Sequence, residues 1–152
     1  MGLFNFFTQE IAIDLGTANT LIIHNDVVVV NEPSIVALDR NNPKNLLAVG
    51  KKALMMHEKT HESIRTVRPL KDGVIADFNA AELMIRAMIK MIYPKKPLFP
   101  PSWRMMICIP SSITEVEKRS VRDSAEQAGA KEVYLLPEHM AASLGIAIDV
   151  EE

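Results

Sequence analysis

A short segment near the start of the chain combines the residue types that bind phosphate. Residues 11–20 read Ile-Ala-Ile-Asp-Leu-Gly-Thr-Ala-Asn-Thr. Gly16 permits a tight turn that a Cβ atom would obstruct, and the small or polar residues at 17–19 let N–H groups point inward as a nest that suits phosphate oxygens. Because a carboxylate repels phosphate unless a cation lies between them, Asp14 is a candidate for holding a hydrated Mg²⁺. A plain β-hairpin with a glycine turn is the alternative.

Apolar residues on both sides of this turn predict the strands that hold it. Ile11 and Ile13 alternate as in a buried strand, and the apolar run at 21–23 predicts a second strand. The polar triplet at 24–26 supplies a turn before a third strand over 27–30. The predicted order is a three-stranded meander with the phosphate-binding turn at its first corner.

Two strand–helix units are predicted to complete an α/β core. The strands are expected over 104–109 and 132–136, and the helices over 114–128 and 138–148. An earlier long helix is expected to end at Pro94, since proline cannot continue it.

Capping signals mark the predicted ends of these helices. Thr114 and Glu117 have the spacing of a capping box, and Gly129 is a typical helix stop. Asn79 with Glu82 three residues later predicts a similar start for the earlier helix.

Residues 32–73 form a more polar and more broken stretch than their surroundings. Short apolar runs alternate there with turn residues, which predicts a small α+β insertion lobe on a main subdomain of residues 10–31 and 74–152. Within it, His57 and His61 stand four residues apart, a spacing that could face one metal ion on a helix. Their charged and polar neighbours favour a solvated segment instead.

The first nine residues carry four large apolar side chains, namely Leu3, Phe4, Phe6 and Phe7. Wound as a helix, these side chains cover a broad face, and the segment precedes the first strand, so it need not belong to the core. We interpret residues 1–9 as an amphipathic anchor that lies in a membrane surface. A flap packed on the domain is the alternative.

A second apolar pair stands in a proline-rich loop. Four of the nine prolines fall within residues 94–103, and Leu98 and Phe99 stand between two of them, just after Lys95 and Lys96. An apolar pair on a rigid, basic loop suits shallow insertion into an anionic membrane, where each lysine adds about 1 kcal/mol. Such weak contacts become strong when many copies are linked in a polymer. Folding of the pair back onto the domain is the alternative.

Composition bounds the class of protein. The 152 residues can form one well-buried domain, and 48% apolar content argues against disorder. A net charge of −2 predicts no attraction to nucleic acid. No apolar run reaches the roughly 20 residues that span a bilayer, and the start of the chain lacks a secretory signal pattern, so we expect a cytoplasmic protein. The single cysteine, Cys108, excludes an internal disulfide and is predicted to be a buried strand thiol.

Five blocks of the sequence together resemble one known family. They are the phosphate-loop segment at 14–20, Val-Asn-Glu-Pro-Ser-Ile at 30–35, Arg-Pro-Leu-Lys-Asp-Gly-Val-Ile-Ala-Asp at 68–77, Ile-Thr-Glu-Val-Glu-Lys-Arg at 113–119 and Glu-His-Met-Ala-Ala at 138–142. In this order and spacing they are similar to the MreB family of bacterial actin homologues, within the actin, Hsp70 and sugar-kinase superfamily. The resemblance covers the whole chain, but only about the first half of such a protein.

The resemblance implies an RNase H-like subdomain of an actin-like ATPase, with a small insertion lobe. It implies an ATP-dependent protein that forms filaments with copies of itself at the inner face of the cytoplasmic membrane and guides the cell-wall elongation machinery. By similarity, phosphates and Mg²⁺ would be bound by Asp14, Gly16, Thr17, Ala18 and Asn19. Glu138 matches the residue that positions the attacking water, and Leu98-Phe99 matches a membrane-inserting pair. Val116 would meet a neighbouring filament.

Two departures from the family pattern bear on activity. The family's catalytic turn reads Glu-Glu-Pro-Met-Ala-Ala, whereas residues 137–142 read Pro-Glu-His-Met-Ala-Ala, so Pro137 and His139 alter the surroundings of the matching Glu138. The family's second phosphate loop and adenosine pocket are expected beyond residue 152. We therefore expect this chain alone to bind ATP weakly and to hydrolyse it negligibly. A non-catalytic module that keeps the membrane and filament surfaces is the alternative function.

Overall fold

This computed structural model describes residues 8–57, 59, 62–92, 102–110 and 113–145. In these residues short strands alternate with four helices. The strands are β1 Thr8–Leu15, β2 Asn19–His24, β3 Val27–Pro33, β4 Val36–Asp39, β5 Leu46–Val49, β6 Ile64–Val67, β7 Leu70–Lys71, β8 Val74–Ile75, β9 Ser102–Ile109 and β10 Ala130–Pro137. The helices are α1 Lys51–His57, α2 Phe78–Ile92, α3 Glu115–Gln127 and α4 Glu138–Gly145. None of these helices is both long and apolar enough to cross a membrane.

A five-stranded sheet in the order β10-β9-β1-β2-β3 forms the main scaffold. β1, β2 and β3 are antiparallel neighbours, whereas β9 and β10 each follow a helix and join the sheet in parallel. The predicted meander followed by two strand–helix units is confirmed. β1, β9 and β10 therefore end at the same edge of the sheet, the carboxyl end, and the β2–β3 turn lies at the opposite edge, the amino end.

One face of this sheet is buried against α2 and α3. Alternate residues of the central strands, such as Ile13 and Ile107, are almost fully buried there. α2 adds Met84, Ile85 and Met88 to the same core. Because side chains alternate along a strand, the next residue of each strand lies on the other face.

The other face of the sheet carries a group of charged side chains near the amino ends of β1 and β9. Arg104 on β9 donates to the Glu10 carboxylate at 2.6 Å and to the Glu132 carboxylate at 2.8 Å, which joins β1, β9 and β10. Hydrogen bonds from Arg104, and then from the Tyr134 hydroxyl, hold the pKa of Glu132 below its ordinary value. Met106 is exposed beside this group.

Side-chain caps fix where the two long helices begin. The predicted capping box at α3 is confirmed, because the Thr114 side chain accepts from Glu117 N and the Glu117 carboxylate accepts from Thr114 N at 2.7 Å. The cap predicted at Asn79 is wrong, because α2 begins before that residue and the Asp77 carboxylate accepts from Ala80 N at 3.0 Å. Asp77 directly precedes the helix, where a side chain can reach the N–H groups of the first turn.

A second, smaller sheet lies between β3 and β7 in the chain. It has the order β5-β4-β6, and α1 packs against it. Its own buried residues are Ile35, Ala37 and Ala53. Val36, the first residue of β4, faces the main core instead, so the two sheets share buried surface. The lobe boundaries at residues 32 and 73 stay a prediction.

Candidate functional site

Two side chains leave the sheet at its carboxyl end on the face opposite the core. Asp14 follows the buried Ile13 on β1, and Cys108 follows the buried Ile107 on β9, so alternation turns both toward the open face. The two residues are direct partners in the β1–β9 register. Asp14 is exposed and Cys108 is partly buried, so Cys108 is less buried than the sequence predicts.

The turn between β1 and β2 is held in one conformation by buried hydrogen bonds. A Cβ atom at Gly16 would lie 2.5 Å from the Asn19 carbonyl oxygen, so the predicted need for glycine is confirmed. The Ser34 hydroxyl donates to the Gly16 carbonyl at 2.6 Å, and the Ser34 N–H donates to the Ala18 carbonyl at 2.8 Å. Ser34 is fully buried, and its hydroxyl also lies 2.9 Å from that of Thr20. These bonds aim the loop carbonyls at Ser34 and define the path of the turn.

The hairpin of β7 and β8 supports the same turn from another side. Its two turn residues, Asp72 and Gly73, have positive φ values of 52° and 77°, a conformation that an Asp-Gly pair tolerates well. The Gly73 N–H donates to the Thr17 hydroxyl at 2.9 Å. The hairpin therefore fixes the side chain of Thr17.

Glu138 lies in this region because it directly follows β10, an edge strand of the sheet. It is the first residue of α4 and directly follows Pro137, the last residue of β10. Because Leu136 pairs with Cys108 in the β9–β10 register, α4 begins beside the end of β9. The side chains thus meet around one cleft of about 540 Å³. This cleft is lined by Asp14, Leu15, Gly16, Thr17, Gly73, Cys108, Glu138, Ala141 and Ala142.

The lining of the cleft is acidic. It includes the carboxylates of Asp14 and Glu138, and no lysine or arginine is among the described residues that form it. Burial raises the pKa of the Cys108 thiol above its ordinary value, and the charges of Asp14 and then Glu138 raise it further. Both carboxylates therefore act on the same point of the cleft. Such a site suits a ligand that brings its own cation.

The other predicted phosphate-binding and surface residues are placed differently. Ala18 and Asn19 are exposed and do not line the cleft. Ala18 belongs to the turn, and Asn19 is the first residue of β2. Val116 is 72% exposed on α3. The predicted membrane residues Leu3, Phe4, Phe6, Phe7, Leu98 and Phe99 lie outside the described residues.

Only one residue of the predicted histidine pair lies in the described part of the chain. The His57 Nδ1 atom shares a hydrogen bond with the Thr66 hydroxyl, and His61 lies outside the described residues. Among residues 8–57, 59, 62–92, 102–110 and 113–145, no group of three or more His, Cys, Asp or Glu side chains could hold a metal ion.

Known proteins match this chain over most of its length. The family model described as MreB/Mbl protein matches residues 8–152. The cell shape-determining protein MreB of Escherichia coli K12 is 44% identical over 150 residues, and the cell shape-determining protein Mbl of Bacillus subtilis 168 is 45% identical over 145 residues. These matches cover 96% and 95% of this chain but 43% of each relative, so the chain spans less than half the length of these relatives.

Solved structures share the architecture. MreB5 of Spiroplasma citri bound to ADP matches with a TM-score of 0.78 at 36% identity, over 95% of this chain and 42% of its own. The same protein bound to AMPPNP gives a TM-score of 0.76 at 37% identity, over 95% and 43%. A MamK double helical filament, at 18% identity and a TM-score of 0.74 over 92% of this chain and 44% of its own, has the same fold.

Proposed function

The chain belongs to the MreB/Mbl family and has an actin-like fold, and from that premise we propose that it acts in a filament-forming, ATP-binding protein of the bacterial cytoskeleton that determines cell shape. In this proposal the chain supplies the first phosphate loop, the carboxylate that holds Mg²⁺ through water and the carboxylate that orients the attacking water. Because the chain spans 43% of its relatives, the activity of the whole protein is part of the proposal.

The observation that carries the proposal is the cleft in which Asp14, Thr17 and Glu138 meet. It lies at the carboxyl end of the parallel strands, which is where ligands bind in open α/β sheets. Its volume of about 540 Å³ falls within the range of about 300–1,000 Å³ that is typical of ligand pockets. A nucleotide is supported as the ligand because MreB5 of Spiroplasma citri, at 36% and 37% identity, was solved with ADP and with AMPPNP.

The side chains of the cleft suit a hydrated magnesium ion. Mg²⁺ usually keeps several waters and is bound through one or two carboxylates together with the phosphates of its substrate. Asp14 supplies one carboxylate to the cleft, and waters and the phosphates of the nucleotide would complete the shell of the ion, which matches that mode. Asp14 would hold the ion through water, and the ion would offset repulsion between the carboxylates and the phosphate oxygens.

Glu138 is suited to orienting a water molecule. ATP supplies the phosphoryl group, and the protein contributes mainly positioning and electrostatic stabilisation to its transfer. Glu138 stands at the start of α4 and lines the same cleft as the β1–β2 turn. Its carboxylate would accept a hydrogen bond from water and aim a lone pair of that water at the phosphate. The turn's N–H groups would bind the phosphate oxygens.

The proposal extends to the surfaces of the protein. We propose that Val116, exposed on α3, contacts a neighbouring filament. Thr8 and Gln9, the last two residues of the predicted anchor, belong to β1 and pair with β9. Residues 1–7 and the Leu98-Phe99 pair would contact the inner face of the cytoplasmic membrane. Linked copies along a filament would make these weak contacts strong and would give the cell-wall elongation machinery a track.

Binding and hydrolysis of Mg·ATP by the whole protein and two isosteric variants of it test this proposal. Asp14→Asn is expected to weaken Mg·ATP binding by about tenfold or more, or about 1.4 kcal/mol, and to strengthen binding of metal-free ATP, because the substitution removes a carboxylate that repels phosphate. Glu138→Gln is expected to keep the affinity and to lower hydrolysis by about a hundredfold. The matched control is Glu126→Gln, which changes an exposed carboxylate of α3 outside the cleft.

Unchanged Mg·ATP binding in Asp14→Asn would contradict the magnesium role. Hydrolysis at the original rate in Glu138→Gln would contradict the water-orienting role. Binding without hydrolysis in the unmodified whole protein would favour the non-catalytic alternative.

A further inference from the structure

The amino end of the five-stranded sheet carries an exposed apolar strip on its outermost strand. Val27, Val28 and Val29 of β3 are 60%, 52% and 40% exposed, and Ile23 of β2 beside them is 38% exposed. Edge strands of soluble proteins usually carry a charge or a proline where they face water. This strip has neither, so we interpret it as a contact surface.

The register explains why three consecutive valines face outward. Ile22 pairs with Val30 and Ile23 pairs with Val28, so Val29 is an extra residue in a β-bulge. A bulge interrupts strict alternation and bends the strand that contains it. The bulge in the β3 backbone therefore explains the exposure of the three valine side chains.

The strip is held at a fixed position on the sheet. Asn25 and Asp26 form the two-residue β2–β3 turn, with φ values of 51° and 60°. His24, which precedes the turn, packs its ring edge-to-face against Trp103 of β9 at a centroid distance of 5.7 Å. The hairpin is therefore anchored to the start of β9.

Two apolar segments of the sequence join the fold at this same end. Residues 1–7 run into β1 and residues 93–101 run into β9, and together they contain all six large apolar side chains assigned to the membrane. Thr8 and Ser102, the first residues of these strands, are register partners with hydroxyls 3.2 Å apart. β3 lies three strand spacings from β9, about 14 Å.

We propose that the valine strip, Val27–Val29, is a third contact of this protein with an anionic lipid surface. The inference rests on the proposed membrane association and adds a site to it. A lipid surface is favoured as the partner because the strip stands at the end of the sheet where both apolar segments join the fold, one of which carries Lys95 and Lys96. Asp26 at the tip is repelled by anionic lipid, so the hairpin meets the surface along its β3 edge.

Sedimentation of the whole protein with vesicles of phosphatidylglycerol and phosphatidylcholine tests the strip. Replacement of all three valines by serine (Val27→Ser, Val28→Ser, Val29→Ser) is expected to lower vesicle binding by about tenfold or more. The control is Leu47→Ser with Met55→Ser, two apolar residues outside the strip that are 43% and 54% exposed. We expect the control to stay within about twofold of the original protein, and Asp26→Asn to bind up to about fivefold more tightly.

A spectroscopic measurement separates direct contact from an effect on folding. Val28→Trp and Leu47→Trp each add one indole to this chain, whose single tryptophan is Trp103. Vesicles with brominated acyl chains should quench the Val28→Trp protein more than the Leu47→Trp protein. Equal quenching of the two proteins would overturn the proposal, and so would unchanged vesicle binding in the serine variant.

The outcomes distinguish this inference from the membrane proposal on which it rests. If Leu98→Ser with Phe99→Ser abolishes binding and the serine variant of the strip does not, the strip is excluded and the loop remains. If the unmodified protein does not bind these vesicles at all, both fail. Loss of filament formation without lipid in the strip variant would identify a second copy of the chain as the occupant and would overturn the lipid assignment.

Discussion

The two ends of the five-stranded sheet present opposite chemistry on one scaffold. At the carboxyl end, Asp14 and Glu138 face a cleft, and Ser34 fixes the turn beside them by buried hydrogen bonds. At the amino end, Val27 and Val28 face outward from a hairpin with a bulge. Binding of a polar ligand requires donors and charges at defined distances, and the carboxyl end has such groups held in place. Contact with an apolar surface requires only exposed apolar area, which the amino end supplies.

Both ends depend on the same core, and Ile107→Ala should therefore affect them together. Ile107 is fully buried in the core and lies between its register partners Ile13 and Leu135 on the neighbouring strands. Its truncation is expected to cost about 3 kcal/mol of unfolding free energy, measured by urea denaturation. The control Cys108→Ala, one residue along on the open face, should cost less than about 1 kcal/mol. Equal losses in the two variants would contradict the assignment of faces.

Gly16→Ala should damage the carboxyl end alone. The added Cβ would meet the Asn19 carbonyl oxygen at 2.5 Å, so the turn must shift, at a cost of about 2 kcal/mol. Mg·ATP binding should fall, while vesicle binding should stay as in the original protein. Ala18→Ser, in the same turn at an exposed position, should change stability by less than about 0.5 kcal/mol. A stable Gly16→Ala protein with full nucleotide affinity would show that the close approach is unimportant.

Alkylation of Cys108 should report the charge of the carboxyl end. The Asp14 carboxylate helps to raise the pKa of this thiol, so Asp14→Asn should lower that pKa and increase the thiolate fraction at pH 8. We expect iodoacetamide to react about twofold faster or more with Asp14→Asn. Asp26→Asn, at the amino end, should leave the rate unchanged. Equal rates in all three proteins would indicate that Asp14 does not act on the cleft.

The smallest effect is expected from Glu132→Gln, on the open face near the amino end of the sheet. The pKa of Glu132 in the folded protein is below its ordinary value of 4.5, so its contribution to stability is present above that value and is lost as the pH falls through the folded-state pKa. The variant should show a slightly flatter decline of the urea midpoint in acid. The effect is small because the Arg104–Glu132 pair is 40% exposed on both sides. An equally steep decline would exclude a role for this pair.

Local patterns in the sequence were sufficient for the scaffold. Alternation of Ile11 and Ile13, and the capping box of Thr114 and Glu117, act over a few residues, so the strand and the helix start could be predicted. The cap of α2 was misassigned because Asp77 and Asn79 both have suitable side chains, and only the backbone shows which one directly precedes the helix.

Contacts between distant segments were harder to predict. Ser34 supports the turn at Gly16 across 18 residues, and the Gly73 N–H reaches Thr17 across 56 residues. No periodicity links such positions, although a serine directly after Pro33 in an apolar stretch was an available sign of a buried hydroxyl. Cys108 was expected in the core, because a strand that is apolar on both faces does not reveal which residues face a cleft.

Titration of the isotope-labelled chain with Mg·ATP, followed through its amide resonances, is the sharpest test of the nucleotide cleft. We expect the largest shifts at the amides of Gly16, Thr17 and Gly73, with a dissociation constant of roughly 1 mM or weaker for this chain alone. The shifts should be lost in Asp14→Asn, and the amide of Val28 should not move. Shifts centred on the amino end, or none at the turn with millimolar Mg·ATP, would contradict the assignment of the cleft.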